Sequence, residues 1–256
     1  MKEITLELTN RCYNNCLHCS SKAGIFESDY LEIDKVMQIV KKYNPEWVNL
    51  SGGEPLLYPK LRELIGWLKQ EGYKIKIYTS GNVPECMELL DELKYYSIDK
   101  VIFSFHSCHS KLFDFIAQQK SFNYTRHSML NALLMGHDIE AHIVPMSITM
   151  QTLGDTVDYL VRNGIPKISI LKLVNQGRCT ENKFLLPCDY GEVYRIKEKY
   201  GDLVRLGSPF SSNLECTAGR DKLVVKSDGQ IIPCECYKDG VNKCERITTN
   251  DRKTDM

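Results

Sequence analysis

The chain has no excess of either charge: among its 256 residues, 33 basic side chains are matched by 33 acidic ones. That balance argues against a nucleic-acid or anionic-membrane partner, since such binders need surplus Lys and Arg. Nowhere does the sequence reach the ~20 consecutive apolar residues of a membrane helix. Its opening, "MKEITLEL", lacks the apolar core of a secretory signal, so a cytoplasmic location is expected. Internal repeats and low-complexity linkers are missing too. Cysteine is the exception to this scarcity. There are 11, and in a reducing compartment they point to metal or redox chemistry before disulfides. At 43% hydrophobic, the chain can bury a core as one large domain, with or without a small appendage.

Strand-like runs alternate with helical ones six times. The runs are 3–8, 46–50, 74–79, 100–105, 139–146 and 167–174. Between and after them come helical patterns at 31–43, 59–71, one opened by Pro84, and then 122–135, 153–163 and 189–200. Ile33, Val36, Met37 and Val40 share one helix face, as do Leu61, Leu64, Ile65 and Leu68. Such alternation implies parallel β-α-β units. Six units are too few to close an eight-stranded barrel. The expected fold is therefore α/β, an open (βα)6 partial TIM barrel over residues 1–206, with ligands at the carboxyl ends of its strands. Past residue 206 the alternation stops. Residues 207–256 read as a small second module built on a β-hairpin, 222–226 and 230–233, around the turn "SDGQ". Cys216, Cys234, Cys236 and Cys244 surround it. A hairpin this small has little core, and a bound metal could supply the missing stability. The tail, 248–256, reads as loose.

The loop after the first strand, "LTNRCYNNCLHCSSKAG" (8–24), spaces its sulfurs as Cys12-x3-Cys16-x2-Cys19. Three thiolates can hold three irons of a 4Fe-4S cube and leave the fourth open. Catalytic metals keep an open position; structural ones do not. Tetrahedral zinc is the alternative, with His18 as a possible fourth ligand. After the second strand comes "LSGGEPLLYP" (50–59). There Gly52 and Gly53 let the backbone approach a ligand, and the Glu54 carboxylate can accept from an amine. Alone, this stretch is equally a plain turn before a helix started by Pro55. One strand after the cysteine loop, it is far more specific.

On these residues the chain resembles the radical S-adenosylmethionine (SAM) enzymes, over residues 3 to about 200. The resemblance implies that Cys12, Cys16 and Cys19 ligate a 4Fe-4S cluster whose open iron takes the amine and carboxylate of SAM. Gly52, Gly53 and Glu54 would contact the SAM amine, and His18 would lie against the adenine. It also implies the reaction: one electron from a low-potential cluster breaks a carbon–sulfur bond of SAM. The resulting 5′-deoxyadenosyl radical takes a hydrogen atom from an unactivated carbon. The electron would come from a donor such as flavodoxin or ferredoxin. Ser80, in "YTSGN" (78–82), stands where relatives often have the Asn of a TNG-like turn near SAM. Ser104, in "FSFHS" (103–107), matches a Ser-x-Asp pattern, with His106 in the acidic slot. Arg178, in "LVNQGRC" (173–179), resembles a Gly-Arg ending and is expected to reach a carboxylate. Each of these is equally an ordinary polar loop group. His142, inside strand five, reads as barrel lining rather than as a base.

The spacing Cys216-x12-Gly229-x4-Cys234, with Cys236 and Cys244, resembles the SPASM and twitch modules that carry auxiliary 4Fe-4S clusters. Gly229 would allow the positive φ of the hairpin turn. Four cysteines suffice for one fully ligated cube, and the 12 residues after Cys244 leave no room for a second. Zinc on these four is again the alternative. Cys86 falls in a helix and reads as inert. Cys108 and Cys179 follow strands four and six. Either would give a hydrogen atom to a substrate radical or ligate the auxiliary cluster, unless it is a plain loop thiol. The resemblance therefore leads to modification of a ribosomally made peptide by a thioether or carbon–carbon crosslink or by epimerisation. With only 11 residues before Cys12, a separate leader-peptide-binding protein is expected. The alternatives are a twitch-type dehydrogenase of a small alcohol, sugar or cyclitol, and a non-catalytic zinc-stabilised binding protein.

Overall fold

The structure, a computed structural model, describes residues 1–210 and 216–240. Strands β1 (Glu3–Glu7), β2 (Trp47–Ser51), β3 (Lys74–Thr79), β4 (Lys100–Ser104), β5 (Ile139–Ile143), β6 (Ile168–Ile170) and β7 (Val204–Leu206) lie side by side, all parallel, in chain order. β8 (Lys222–Val225) adds parallel to the far side of β1, and β9 (Ile231–Ile232) pairs antiparallel with β8. Helices α1 (Ile33–Tyr43), α2 (Leu61–Gln70), α3 (Cys86–Tyr95), α4 (Ser110–Ala117), α5 (Phe122–Leu134), α6 (Leu153–Arg162) and α7 (Gly191–Tyr200) make the crossovers. The sheet ends at β7 on one side and β9 on the other, so the barrel is open.

β1 displays the plan. Ile4 and Leu6 are buried in the main core, while Glu3, Thr5 and Glu7, at alternate positions, point to the other face. Register carries this alternation across the sheet. Ile4 pairs with Val48 and Leu6 with Leu50, and these pair in turn with Ile75 and Ile77. The opposite face carries Thr5, Asn49, Lys76 and Lys100 in one row, and Ser104, His142, Ser169 and Arg205 in another. Each fully buried Leu or Ile on the helix side stabilises the fold by roughly 2 kcal/mol. A one-residue slip would press the polar rows onto the helices instead. α2 buries Leu61, Leu64, Ile65 and Leu68, as their spacing predicts, whereas α1 buries Ile33, Val36, Ile39 and Val40, with Ile39 in the core where Met37 was expected and Met37 half-buried at its edge.

Four features differ from the sequence reading. The loop after β4 holds α4 as well as α5; Gln118 takes φ 53 between them, and the Asp114 carboxylate accepts from the N–H groups of Ser121 and Phe122 to start the second helix. β6 stops at Ile170, because residues 171–174 turn into the cavity described below. β7 follows α7 and extends the expected six strands by one. The expected hairpin is present as β8 and β9, with Gly229 at φ 83 in its turn, but it continues the main sheet through β1. Cys244 and the tail lie outside the described residues. Among those described, no helix is long and apolar enough to cross a membrane.

Candidate active site

The loop leaving β1 carries Cys12, Cys16 and Cys19 into the wall of a cavity of about 750 Å³ at the carboxyl ends of the strands. Neighbours on both sides hold this loop. The N–H groups of Asn15 and Leu17 donate to Ala117 and Ile116 at the end of α4, at 3.0 and 2.9 Å. From the segment after β6, the Arg178 guanidinium forks, with Nε to the Cys16 carbonyl (2.9 Å) and Nη2 to that of Ala23 (2.6 Å). The Arg178 N–H donates to the Cys19 carbonyl at 2.9 Å, and Asn182 Nδ2 donates to that of Leu17 at 3.1 Å. Gly177, at φ 57, makes this approach possible: a Cβ there would stand 2.5 Å from the Ser20 carbonyl oxygen.

The glycines after β2 are demanded in the same way. A Cβ on Gly52, at φ 124, would stand 2.5 Å from the Thr9 carbonyl oxygen, and one on Gly53 would strike that of Arg11. Gly53 N donates to Thr9 and Glu54 N to Arg11, at 2.6 and 2.8 Å, lacing the two loops together. Glu54 is fully buried and does not line the cavity. Its carboxylate accepts from Thr79 Oγ1 (2.7 Å), Ser80 N (2.9 Å), Ser80 Oγ (2.7 Å) and Leu56 N (3.4 Å). Burial pushes its pKa up, and these donors resist. The expected amine contact is therefore corrected for the side chain: Glu54 braces the turn at Ser80. Gly52, Gly53 and Ser80 do line the cavity.

The thiols are electrostatically crowded. Burial, then the charges of Glu54 and Cys16, raise the Cys12 pKa; burial and Cys19 push Cys16 up to about 12. Thiols so placed ionise only against positive charge, which iron supplies. Among the described residues, no three His, Cys, Asp or Glu side chains converge where one metal ion could sit. A cube takes one thiolate per iron and needs no such convergence, so this donor set fits a 4Fe-4S cluster better than zinc. His18 also lines the cavity, its ring edge-on to His106 at 4.6 Å. Its Nδ1 is buried without a hydrogen-bond partner among the described residues, a vacancy suited to a polar ring ligand such as adenine. Burial, and then the Arg178 charge, lower its pKa to about 4, so it is neutral. His106 Nδ1 accepts from Val144 N at 3.1 Å, and burial keeps it neutral as well.

Beneath the cavity, whose lining includes His142 and Arg205, a polar chain crosses three strands. Arg205 Nε donates to Ser169 Oγ (2.9 Å), Ser169 Oγ donates to Glu140, and His142 Nε2 lies 3.1 Å from Glu140 Oε1. Burial alone would raise the Glu140 pKa; His142, Ser169 and the Arg205 charge bring it down to about 2. Glu140, Ser169, Arg205 and Tyr78 are missing from the motif-based reading. Their signal was the strict alternation of polar and apolar residues within each strand.

Cys216, Cys234 and Cys236 line the same cavity. The hydrogen bond from Cys236 lowers the Cys234 thiol to about 6 against the opposing effect of burial. Their segment docks on the cysteine loop through Lys238, which pairs with Glu7 and Glu235 and donates to Ser20 and Ser21 Oγ. Gln176 Nε2 donates to the Glu235 carbonyl. Three expectations are corrected. Cys179 is fully buried in an apolar cluster with Ile116, Met146, Leu173 and Leu185, outside the cavity lining. Cys108 also lies outside that lining, its loop turned toward α6 by a bond from its N–H to Thr156 Oγ1 (3.2 Å). Arg178 holds loop carbonyls rather than a carboxylate. Ser104 and His106 line the cavity.

A three-cysteine loop after β1, laced to a glycine turn after β2 in a partial barrel, defines a SAM-dependent enzyme. The chain belongs to the Radical SAM superfamily, whose pattern it matches over residues 6–171. It is 23% identical over 276 residues to the "Probable GTP 3′,8-cyclase" of Methanothermobacter marburgensis, covering 97% of this chain and 89% of that protein. It is likewise 23% identical to the GTP 3′,8-cyclase of Helicobacter pylori, covering 98% and 85%. Among solved structures it resembles Streptococcus suis SuiB bound to precursor peptide SuiA, with a TM-score of 0.74 at 17% identity. That match covers 94% of this chain, which spans only 60% of SuiB. Another is anSMEcpe with bound AdoMet, at TM-score 0.66 and 14% identity, covering 98% and 80%. The non-catalytic zinc reading falls with the family assignment.

Proposed function

We propose that this radical SAM enzyme modifies a peptide by hydrogen-atom abstraction, with residues 1–206 as the catalytic core and 207–256 as a twitch-like module. Cys216, Cys234 and Cys236, with Cys244 outside the described residues, would hold an auxiliary 4Fe-4S cluster. When bound, the cluster on Cys12, Cys16 and Cys19 supplies the electron that cleaves SAM to a 5′-deoxyadenosyl radical. The chain's own part is to hold SAM along Gly52, Gly53 and Ser80, to aim it into the cavity and to keep water out. A low-potential donor such as flavodoxin or ferredoxin, a separate leader-peptide-binding protein and a cytoplasmic location complete this reading.

The observation that carries the substrate class is the state of the cations in the cavity. A nucleoside triphosphate brings several negative charges and calls for Arg and Lys free to meet them. Of the five Lys and Arg side chains that line the cavity among the described residues, Arg178 is committed to loop carbonyls, Arg205 to Ser169 and Glu140, Lys238 to Glu7 and Glu235, and Lys172 lies over the Tyr190 ring, which leaves Lys222 alone to meet such charge. Such a cavity suits an uncharged side chain better than a triphosphate. The second reading, nucleotide cyclisation, is supported by the names of relatives that match nearly the whole chain. One experiment separates them. Reconstituted enzyme with SAM and dithionite is given GTP, or any short peptide that a gene adjoining its own encodes, and 5′-deoxyadenosine and product masses are followed. A peptide that changes mass while GTP is untouched is the expected result. Consumption of GTP would overturn it.

A further inference from the structure

Arg178 reaches across the fold to the loop that carries the cysteines, and its bonds there are unusually concentrated. Its Nε caps the carbonyl of Cys16, its backbone N–H caps that of Cys19, and its Nη2 holds Ala23, four residues beyond the last cysteine. Two of the three cysteines thus have their carbonyls fixed by one residue. Gly177 presses against the Cys19 and Ser20 carbonyls, so the contact has no slack. The acceptors are all neutral carbonyls, and Glu181, the nearest acid in sequence, is bonded to Lys22 instead. A guanidinium stays protonated at any pH a protein survives. The result is a fixed positive charge that the loop does not neutralise, set against the site of an anionic cluster.

We propose that Arg178 is a positioning residue for the cluster bound by Cys12, Cys16 and Cys19: its fork fixes the ligand loop, and its charge raises the cluster's reduction potential. Reduction adds an electron to the cluster, so a nearby cation favours the reduced form, and hydrogen bonding and charge around such sites set their potential. Lysine keeps the charge but, with a single ammonium, cannot bridge two carbonyls in the plane of a fork. The two effects are therefore separable. The inference holds whatever the substrate is and does not rest on the peptide reading.

The test compares reconstituted wild type, Arg178→Lys and Arg178→Gln, each checked for native circular dichroism. Iron loss to an added chelator is timed first. Both variants are expected to lose iron at least about tenfold faster, the usual scale for removing an outer-shell partner. Then the reduction potential is titrated on the EPR signal that changes shape when SAM is added, which selects this cluster from any other. Arg178→Gln should be more negative than wild type, and Arg178→Lys should stay close to wild type. If both variants keep iron as wild type does, the positioning role is wrong. A Gln variant no more negative than the Lys variant removes the electrostatic role. Should the Gln protein lose its cluster too fast to titrate, the Lys protein decides: an unshifted potential supports the charge argument, and a shifted one overturns it.

Discussion

Four donors converge on the Glu54 carboxylate, two from side chains and two from the backbone. Replacing it with Gln turns one acceptor oxygen into an NH2 that faces a donor, and each buried group left unpaired costs about 1–3 kcal/mol. Glu54→Gln is expected to lower the unfolding free energy by an amount in that range, seen as a lower urea midpoint at unchanged slope, and to weaken SAM binding, because Ser80 and the glycine turn shift with it. Chemical denaturation and equilibrium dialysis check the two effects; an unchanged midpoint would mean that Ser80 is held by something else. His142 makes a second residue-scale case. Burial lowers its pKa, and its Nε2 faces a Glu140 carboxylate that also binds Ser169. The ring is therefore expected to be neutral at pH 7 with the proton on Nε2, leaving Nδ1 bare. Long-range proton–nitrogen spectra of histidine-labelled protein read this directly, and Glu140→Gln should mix the two tautomers. An Nδ1-protonated ring in wild type would reverse the assignment.

At the scale of elements, the segment after β9 is fastened to β1 and the cysteine loop by one buried lysine. The side chains of Lys238 and Glu7 are 7% and 4% exposed, so neither has water to fall back on. Lys238→Met leaves Glu7 buried without its counter-charge, which costs about 3–5 kcal/mol. That variant is expected to melt lower and to be cut by protease beyond β9, and adding Glu7→Gln should recover most of the loss. A single variant as stable as wild type would show the pair to be dispensable. How legible such elements were depended on how local their cause is. α1, α2 and α6 could be read from spacing because a helix announces itself through residues three and four apart. α4 was not, since eight residues of mixed apolar character, closed by Gln118 and restarted by Asp114, look like loop. The partnership of β8 with β1 joins Glu3 to Lys222 and leaves no local trace in either strand. The same holds for Arg178: its neighbours resembled a familiar ending, but its acceptors are carbonyls, which every residue has.

For the molecule as a whole, the partial barrel and the order of its motifs were readable because β-α-β alternation is written into composition and period. The polar concave face was also written there, in Glu3-Thr5-Glu7 and Glu140-His142, but a search for cysteine and glycine motifs passes over it. That face makes the stability of the protein depend on pH. Burial lowers the pKa of His18, His106 and His142, which line the cavity, below the ordinary 6.5, His18 to about 4, and does the same to His137, which sits outside the cavity against the Leu90 carbonyl. Once unfolded, each takes up a proton near pH 6.5 that the folded state refuses, so between the folded and unfolded values the unfolded chain binds more protons. Stability then rises with pH through that window. It is fully present above 6.5 and is lost as pH falls toward the lowered values. Glu140 acts later: its folded value of about 2 lies below the ordinary 4.5, so its contribution is present above 4.5 and fades as pH falls through 2. Metal-free protein is therefore expected to melt at one temperature from pH 7 to 8, then progressively lower from 6.5 to 5, with a further drop below 4.5. Scanning fluorimetry across this range reads the curve, and His106→Asn should make the upper limb shallower while leaving the lower one. A melting temperature constant from pH 7 to 5 would mean that the histidines of the cavity wall are solvated and free to protonate in the folded state.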